Sequence, residues 1–396
     1  MTRASSSEVE VQVVREQADL EAACARLAEA GRLAFDTEFV GEDYYEAEIC
    51  LIQAATDSFC VLVDPLAGVD VGPFWRLIGE GPVEVILHAG SEDLSICWKQ
   101  TGKLPGQVVD LQIGAGLIGL GYPISLSRLI SQTTGAKMHK TQTLTDWRRR
   151  PLSAEQVRYA VEDVVHLPKA ACVLRDRLEE LGRSEWLREE CASMCRGIAS
   201  TAGGEGRLRR LRGGSSLKGV ELAVAEALLE ERDKLAREYD RPPRAVLKDH
   251  LVIEIARCRW TEAARLRTLR GVNLSNTALR RLGAVIQSAK ELPPEKWPTR
   301  LSEDEHPDDE VLTALTSSVL RDFCSRGRLS FSLLANKRDI RDFIRSYTAP
   351  EEPQGASRLI QGWRKEAVGE LLGQLMAGER GVRVRREGKA YRLAVE

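Results

Sequence analysis

The stretch Arg32-Leu-Ala-Phe-Asp-Thr-Glu-Phe39 decides the fold. Read with a period of two, it places Leu33, Phe35, Thr37 and Phe39 on one side of a strand and Asp36 and Glu38 on the other. Half-buried paired carboxylates are costly unless a cation neutralises them. An edge strand with a solvated polar face gives the same pattern, so this strand alone leaves both readings open. Upstream, ADLEAACARLAEA puts Leu20, Ala23, Cys24 and Leu27 on one helical face, which Gly31 closes. Downstream, ICLIQAA and FCVLVD are β-rich runs joined by the turn-like Thr56-Asp57-Ser58, and EVILHA (84–89) reads as a fourth strand. Helical patterns follow over 91–101, 111–120, 124–132 and 153–180. Residues 1–202 therefore read as an α/β domain, a mixed sheet with at least one hairpin, flanked by helices.

The rest of the chain reads as helical. A Gly/Arg-rich linker (203–214) leads to short helices broken by Pro242-Pro243 and Gly271, a compact all-α domain over 215–295. A Pro-rich, then acidic linker (296–309) precedes a second helical domain over 310–378. The basic tail 379–396 alternates Val and Arg around a Glu-Gly-Lys turn, as a short hairpin would.

Composition narrows the class. The 396 residues carry 57 Lys+Arg and 59 Asp+Glu, a net charge of −2. That balance is a cancellation: residues 1–200 hold 20 basic and 30 acidic side chains, 201–300 hold 21 and 13, and 301–396 hold 16 of each. An acidic first half joined to a basic middle suits a protein that holds cations in one part and a polyanion in another. No apolar run approaches the ~18 residues that span a bilayer, and the N-terminus has no apolar signal core, so no membrane partner and a cytoplasmic location are expected. The nine cysteines include no C-x-x-C pair; Cys191 and Cys195 share a helical face as ordinary thiols. The five histidines are too dispersed for an H-E-x-x-H site.

Three segments carry the acids. Asp36 and Glu38 come from the strand. Asp93 lies in HAGSEDLSICW, where Ser91 can cap a helix and Asp93 sits in its first turn, near the carboxyl edge of the sheet. Tyr159 and Asp163, four residues apart, share one helical face. Four oxygen-donor carboxylates suit hard divalent cations such as Mg²⁺ or Mn²⁺, and two such ions form the apparatus for in-line attack of water on a phosphodiester.

Asp-Thr-Glu-Phe (36–39), His-Ala-Gly-Ser-Glu-Asp-Leu (88–94) and Tyr159-x-x-x-Asp163 resemble the three exonuclease motifs of the DEDD superfamily in its tyrosine subclass. Thr145-Asp146-Trp147, Arg150-Pro151-Leu152 and Tyr159-Ala160 are similar to the bacterial ribonuclease D family in particular. The region 215–295 resembles the helicase and RNase D C-terminal (HRDC) domain, and LLANKRDIRDFI with LIQGWRKEAVGELL resembles the family's second such domain. The resemblance implies a ribonuclease H-like first domain followed by two HRDC-type helical domains. It implies metal-dependent removal of nucleotides from RNA 3′ ends as 5′-mononucleotides, with tRNA precursors or other structured small RNAs as substrates; separately from the resemblance, a monomer is expected, with a dimer open. By the same resemblance Asp36 bridges two metals, Glu38 and Asp163 complete the first site, Asp93 supports the second, and Tyr159 orients the water. His88 and His166 are expected to be structural.

Lys137, Lys140, Arg148, Arg149 and Arg150 are expected to hold phosphates, with Arg207, Arg209, Arg210, Arg212 and the Arg-rich stretch 257–270. Gly114-Ala-Gly116-Leu-Ile-Gly119 formally matches a dinucleotide fingerprint. Gly121 and Pro123 interrupt the helix it needs and no acid follows at the right distance, so close helix packing is the expected use, with Asp110 a supporting residue. Two competing functions remain at this level, a DNA 3′–5′ exonuclease and a catalytically silent nucleic-acid-binding scaffold.

Overall fold

The computed structural model describes residues 9–41, 44–139, 145–202, 207–208, 211–298, 307–348, 357–388 and 390–396. The chain divides into two compact units, one of residues 1–38, 50–196 and 304–396, the other of residues 39–49 and 197–303.

Strands β1 (Glu10–Val14), β2 (Arg32–Val40), β3 (Glu48–Ala55), β4 (Phe59–Val63), β5 (Glu84–Leu87) and β6 (Gln107–Asp110) form one sheet in the order β1-β4-β3-β2-β5-β6. β3 and β4 are the expected antiparallel hairpin, while β1–β4, β2–β5 and β5–β6 run parallel. β2 is thus an inner strand, which removes the edge-strand reading of its acids. Its apolar side packs Phe35 edge-to-face against Phe74 and Trp75, with ring centroids 5.8 and 6.1 Å apart. With Leu33 and Phe35 at most 1% exposed, the alternation of the strand sends Asp36 and Glu38 to the opposite side.

The helices of this α/β domain are α1 (Gln17–Glu29), α2 (Gly72–Glu80), α3 (Ser91–Thr101), α4 (Leu111–Leu117), α5 (Leu126–Thr134), α6 (Ala154–Val165), α7 (Leu167–Glu180) and α8 (Ser184–Ala202). The run expected as one helix over 153–180 is two. Pro168 lacks an N–H and sits in the first turn of α7, so the chain breaks at His166. Ser91 lies inside α3 rather than capping it, because Gly90 occupies the cap. A Cβ at Gly90 would stand 2.7 Å from the Leu87 Cβ, so the turn into α3 demands glycine.

In the other unit, α9 (Val220–Glu238), α10 (Pro243–Val246), α11 (Asp249–Cys258), α12 (Ala263–Leu266) and α13 (Asn276–Lys290) enclose a core that includes Leu222, Leu228, Val252, Ile255, Leu279 and Ile286. The remaining helices, α14 (Pro307–Gly327), α15 (Phe331–Leu334), α16 (Lys337–Thr348), α17 (Gly362–Arg364) and α18 (Glu370–Met376), share the core of the α/β domain. Arg183 donates to the carbonyls of Leu117, Gly327 and Arg328, and Glu190 accepts from Trp363 Nε1 and both ends of the Arg364 guanidinium. The glycines of 114–119 serve this packing. A Cβ on Gly116 would meet Leu333 at 2.8 Å, and one on Gly119 would meet the Arg328 backbone at 2.7 Å. Close packing, not a dinucleotide, explains them. The tail folds as expected into an antiparallel hairpin, β7 (Val382–Glu387) and β8 (Ala390–Val395). Among the described residues no helix is long and apolar enough to cross a membrane.

Candidate active site

Asp36 and Glu38 from β2 meet Asp163 from α6. One ligand oxygen from each of the three lies within 4.8 Å of the others. Asp93, in the first turn of α3, stands outside that trio but close enough for its charge to act on Asp36 and Glu38. Thr37 Oγ1 donates to Asp93 Oδ1 at 2.5 Å and fixes this fourth acid. The sequence pattern put Thr37 with the apolar side chains and gave no sign of this hydroxyl's use.

Among the described residues, the electrostatics are those of crowded acids. Burial, then the charges of Asp93, Asp163 and Glu38, hold the Asp36 carboxyl well above its ordinary value. Burial, with Asp163 and Asp93 adding to it, pushes Glu38 up to about 8. Asp163 is pushed up to about 7 by burial, against the opposing hydrogen bond from Tyr159. Burial also raises Asp93, again against the Thr37 bond. The Tyr159 phenol is raised by burial and by the neighbouring carboxylates, so it keeps its proton and donates to Asp163. A divalent cation would relieve all four acids at once, and an all-oxygen donor set is what a hard cation takes.

The third motif is held by several residues. Ser153 and Gln156 form a capping box at the start of α6. Gln156 Nε2 also reaches Thr145 Oγ1 at 3.1 Å and the Asp146 carbonyl at 3.3 Å. Trp147 packs on the Tyr159 ring, centroids 5.8 Å apart. Arg150 makes a two-pronged ion pair with buried Asp64 at 2.7 and 2.6 Å and donates to the carbonyls of Cys50, Trp147 and Arg149. Its donors are spent inside the protein, so the expectation that Arg150 holds a phosphate is corrected: it anchors the approach to α6. Arg207 contacts Asp233 at 3.5 Å and Arg257 donates to Ser216 at 2.6 Å. Lys140, Arg209 and Arg210 lie outside the described residues.

The second motif is set by Asp110, 1% exposed at the end of β6, which accepts from the backbone N–H groups of Ala89, Gly90, Gln112 and Ile113. It ties the turn before α3 to the start of α4, the supporting place foreseen for it. His88 Nε2 bonds the Ile124 carbonyl at 3.0 Å, and burial lowers the ring's pKa, so it is a neutral strut. A cavity of about 260 Å³ opens beside the acids, lined by Asp36, Tyr159 and Asp163 on one side and by Ser125, Ser127 and His139 among others. His139 is pinned over α6, its ring Nδ1 2.5 Å and its backbone N–H 2.9 Å from the Glu162 carboxylate.

Acids from an inner strand, from a helix at the strand ends and from a later helix that also carries the tyrosine stand in the chain order of the DEDD-type 3′–5′ exonuclease motifs that the sequence resembles. The family model described as 3′-5′ exonuclease matches residues 11–180, and the HRDC domain model matches residues 221–287. Ribonuclease D of Gluconacetobacter diazotrophicus is 30% identical over 93% of this chain and 94% of its own length, and that of Nitrobacter hamburgensis 31% over 91% and 94%. The crystal structure of Escherichia coli RNase D, an exoribonuclease involved in structured RNA processing, superposes with a TM-score of 0.79 at 26% identity over 93% of this chain and 99% of that one. This chain belongs to the ribonuclease D family, and its activity is 3′–5′ exoribonucleolytic.

Proposed function

We propose that the protein trims the 3′ ends of tRNA precursors, working as a cytoplasmic monomer, with Asp36, Glu38, Asp93 and Asp163 holding two Mg²⁺ or Mn²⁺ ions. The observation that carries the site assignment is the convergence of Asp36, Glu38 and Asp163 within 4.8 Å, with Tyr159 bonded to Asp163. Asp36 would serve both ions, Glu38 and Asp163 the first, and Asp93, held by Thr37, the second. Bound ions supply a more acidic water and neutralise charge on the scissile phosphate. Tyr159, protonated and anchored on Asp163, orients the attacking water from its free side. The cavity beside the acids takes the terminal nucleotide. One chain supplies all five groups, which favours a monomer, and none of the nine cysteines forms a disulfide, as in a reducing compartment.

The test is nucleotide release from a 3′-extended tRNA precursor and from DNA of the same sequence at equal salt. The wild-type protein releases 5′-nucleotides from the RNA, faster than from the DNA; Asp36→Ala and Asp163→Ala abolish release while RNA binding largely persists. Near-normal Mg²⁺-dependent hydrolysis by either variant refutes the site, and equal rates on DNA refute the substrate.

A further inference from the structure

The C-terminal hairpin carries a charge and surface pattern that folding does not call for. Between residues 379 and 396 stand Arg380, Arg383, Arg385, Arg386, Lys389 and Arg392 against Glu379, Glu387 and Glu396, a local excess in a chain whose net charge is −2. The register puts Arg385 directly opposite Arg392, with Arg383 on the same face. Like charges placed opposite one another destabilise a strand pair. Among the described residues their relief comes from Glu396, which pairs with both Arg383 and Arg385, and from Asp322, which lies 4.0 Å from Arg392 and is already engaged by Arg326. Three guanidiniums therefore share what two carboxylates and a competitor leave.

The other face is equally unfinished. There Arg386 stands opposite Tyr391 and Val384 opposite Leu393. Tyr391 is 68% exposed and Val384 64% exposed. Arg386 donates to the Gly388 carbonyl, and among the described residues neither Arg386 nor Arg380 has an ion-pair partner. β8 is moored to α14, through Arg392 to Asp322 and from Arg326 to the Leu393 carbonyl, leaving β7 as the outer strand.

We propose that this hairpin is a second RNA-binding element, gripping single-stranded RNA with Arg380, Arg383, Arg385 and Arg386 on its phosphates and Tyr391 stacked on a base. Charge complementarity selects a polyanion. The exposed phenol beside the Arg386 guanidinium selects one that carries flat rings, since a base can stack on Tyr391 with its phosphate on Arg386 while the strand passes round the outer edge of β7 to Arg383 and Arg385 on the opposite face. An acidic protein segment would use the arginines and leave Tyr391 without a task. This role rests on RNA being the substrate and gives the RNA a hold remote in sequence from the catalytic motifs.

Binding of a fluorescein-labelled single-stranded RNA is measured in EDTA, where nothing turns over, across a salt series. Arg383→Gln/Arg385→Gln/Arg386→Gln is expected to weaken binding and to reduce the slope of log affinity against log salt by about 2, at ~0.7 for each phosphate no longer neutralised. Tyr391→Ser, which changes no charge, lowers affinity about tenfold at unchanged slope, and Tyr391→Phe retains it. Both changes leave the melting temperature and the hydrolysis rate of a dinucleotide as in wild type, while KM on the long RNA rises. Variants that keep wild-type affinity and slope overturn the inference, whatever else the hairpin touches, as does loss of charge dependence with no effect of Tyr391→Ser. Failure of the wild-type protein to bind RNA at all would instead refute the substrate reading.

Discussion

Removing one buried charge should make the metal-free protein more stable, although it destroys the site. Asp163 is 7% exposed and its carboxyl is raised from 3.8 to about 7. A carboxyl raised in the folded state places no burden on folding below pH 3.8; the burden grows as pH climbs towards 7 and is complete above it. At 1.36 kcal/mol per pH unit it reaches on the order of 4 kcal/mol. Asn keeps the shape and can still accept from Tyr159, but it retains the desolvation of a polar group, so Asp163→Asn should recover about 1–3 kcal/mol at pH 8. At roughly 2–4 °C per kcal/mol for a unit of this size, the variant should melt about 3–10 °C above wild type in EDTA. At pH 5 the burden on wild type is smaller by roughly 2–3 kcal/mol, so the gap should close or reverse. Saturating Mn²⁺ should then stabilise wild type by ~2.7 kcal/mol at a hundred times Kd and leave the variant nearly unmoved, closing or reversing the order. Calorimetry at pH 5 and pH 8, with EDTA and with Mn²⁺, reads all four states. A variant that melts at or below wild type in EDTA at pH 8, or an equal gain from Mn²⁺ in both proteins, would refute the crowded-acid account.

Three further outcomes follow from the same geometry. Because Glu38 at about 8 and Asp163 at about 7 must both shed protons to bind a cation, Mn²⁺ affinity should rise at least tenfold between about pH 6 and pH 8 and then level off; a flat calorimetric titration series over that range would speak against these acids as ligands. Tyr159→Phe should lower kcat by about 10²-fold with KM and metal affinity nearly unchanged, as loss of a water-orienting group requires. Arg150→Met removes both close donors of the Asp64 carboxylate, 1% exposed, leaves it only Arg15 Nε at 3.8 Å, and should destabilise the protein by about 3 kcal/mol in urea titrations; an effect on RNA affinity and salt slope without loss of stability would make Arg150 a phosphate ligand after all.

Much of the site could be read in the chain because its chemistry is local. Asp36 and Glu38 share a strand face by period two, and Tyr159 and Asp163 share a helix face by period 3.6, so each pair is visible without knowing the fold. What the sequence hid was joined across distance. Arg150 and Asp64 are 86 residues apart, and an arginine beside two others reads as a cationic patch until its carboxylate is found. Thr37 and Asp93 are 56 apart, and a threonine in an apolar alternation reads as packing. The break at His166 was written in Pro168, but the apolar period continues across it and masks the join. β1 carries a weak signal: Glu10–Val14 alternates, but its Val11 and Val13 stay exposed on the edge of the sheet, so no buried apolar face marks the strand. The sharing of one core by α14–α18 and the α/β domain depends on tertiary pairings such as Arg364 with Glu190, which no local pattern announces.

The metal-dependent 3′ exonuclease reading meets its most direct test in one RNA labelled separately at each end and incubated with Mg²⁺. The 3′ label should leave at the first time point as a single mononucleotide, while the 5′-labelled strand shortens one nucleotide at a time; EDTA or Asp36→Asn should stop both. Internal fragments from the 5′-labelled strand, or release that persists in EDTA, would contradict it.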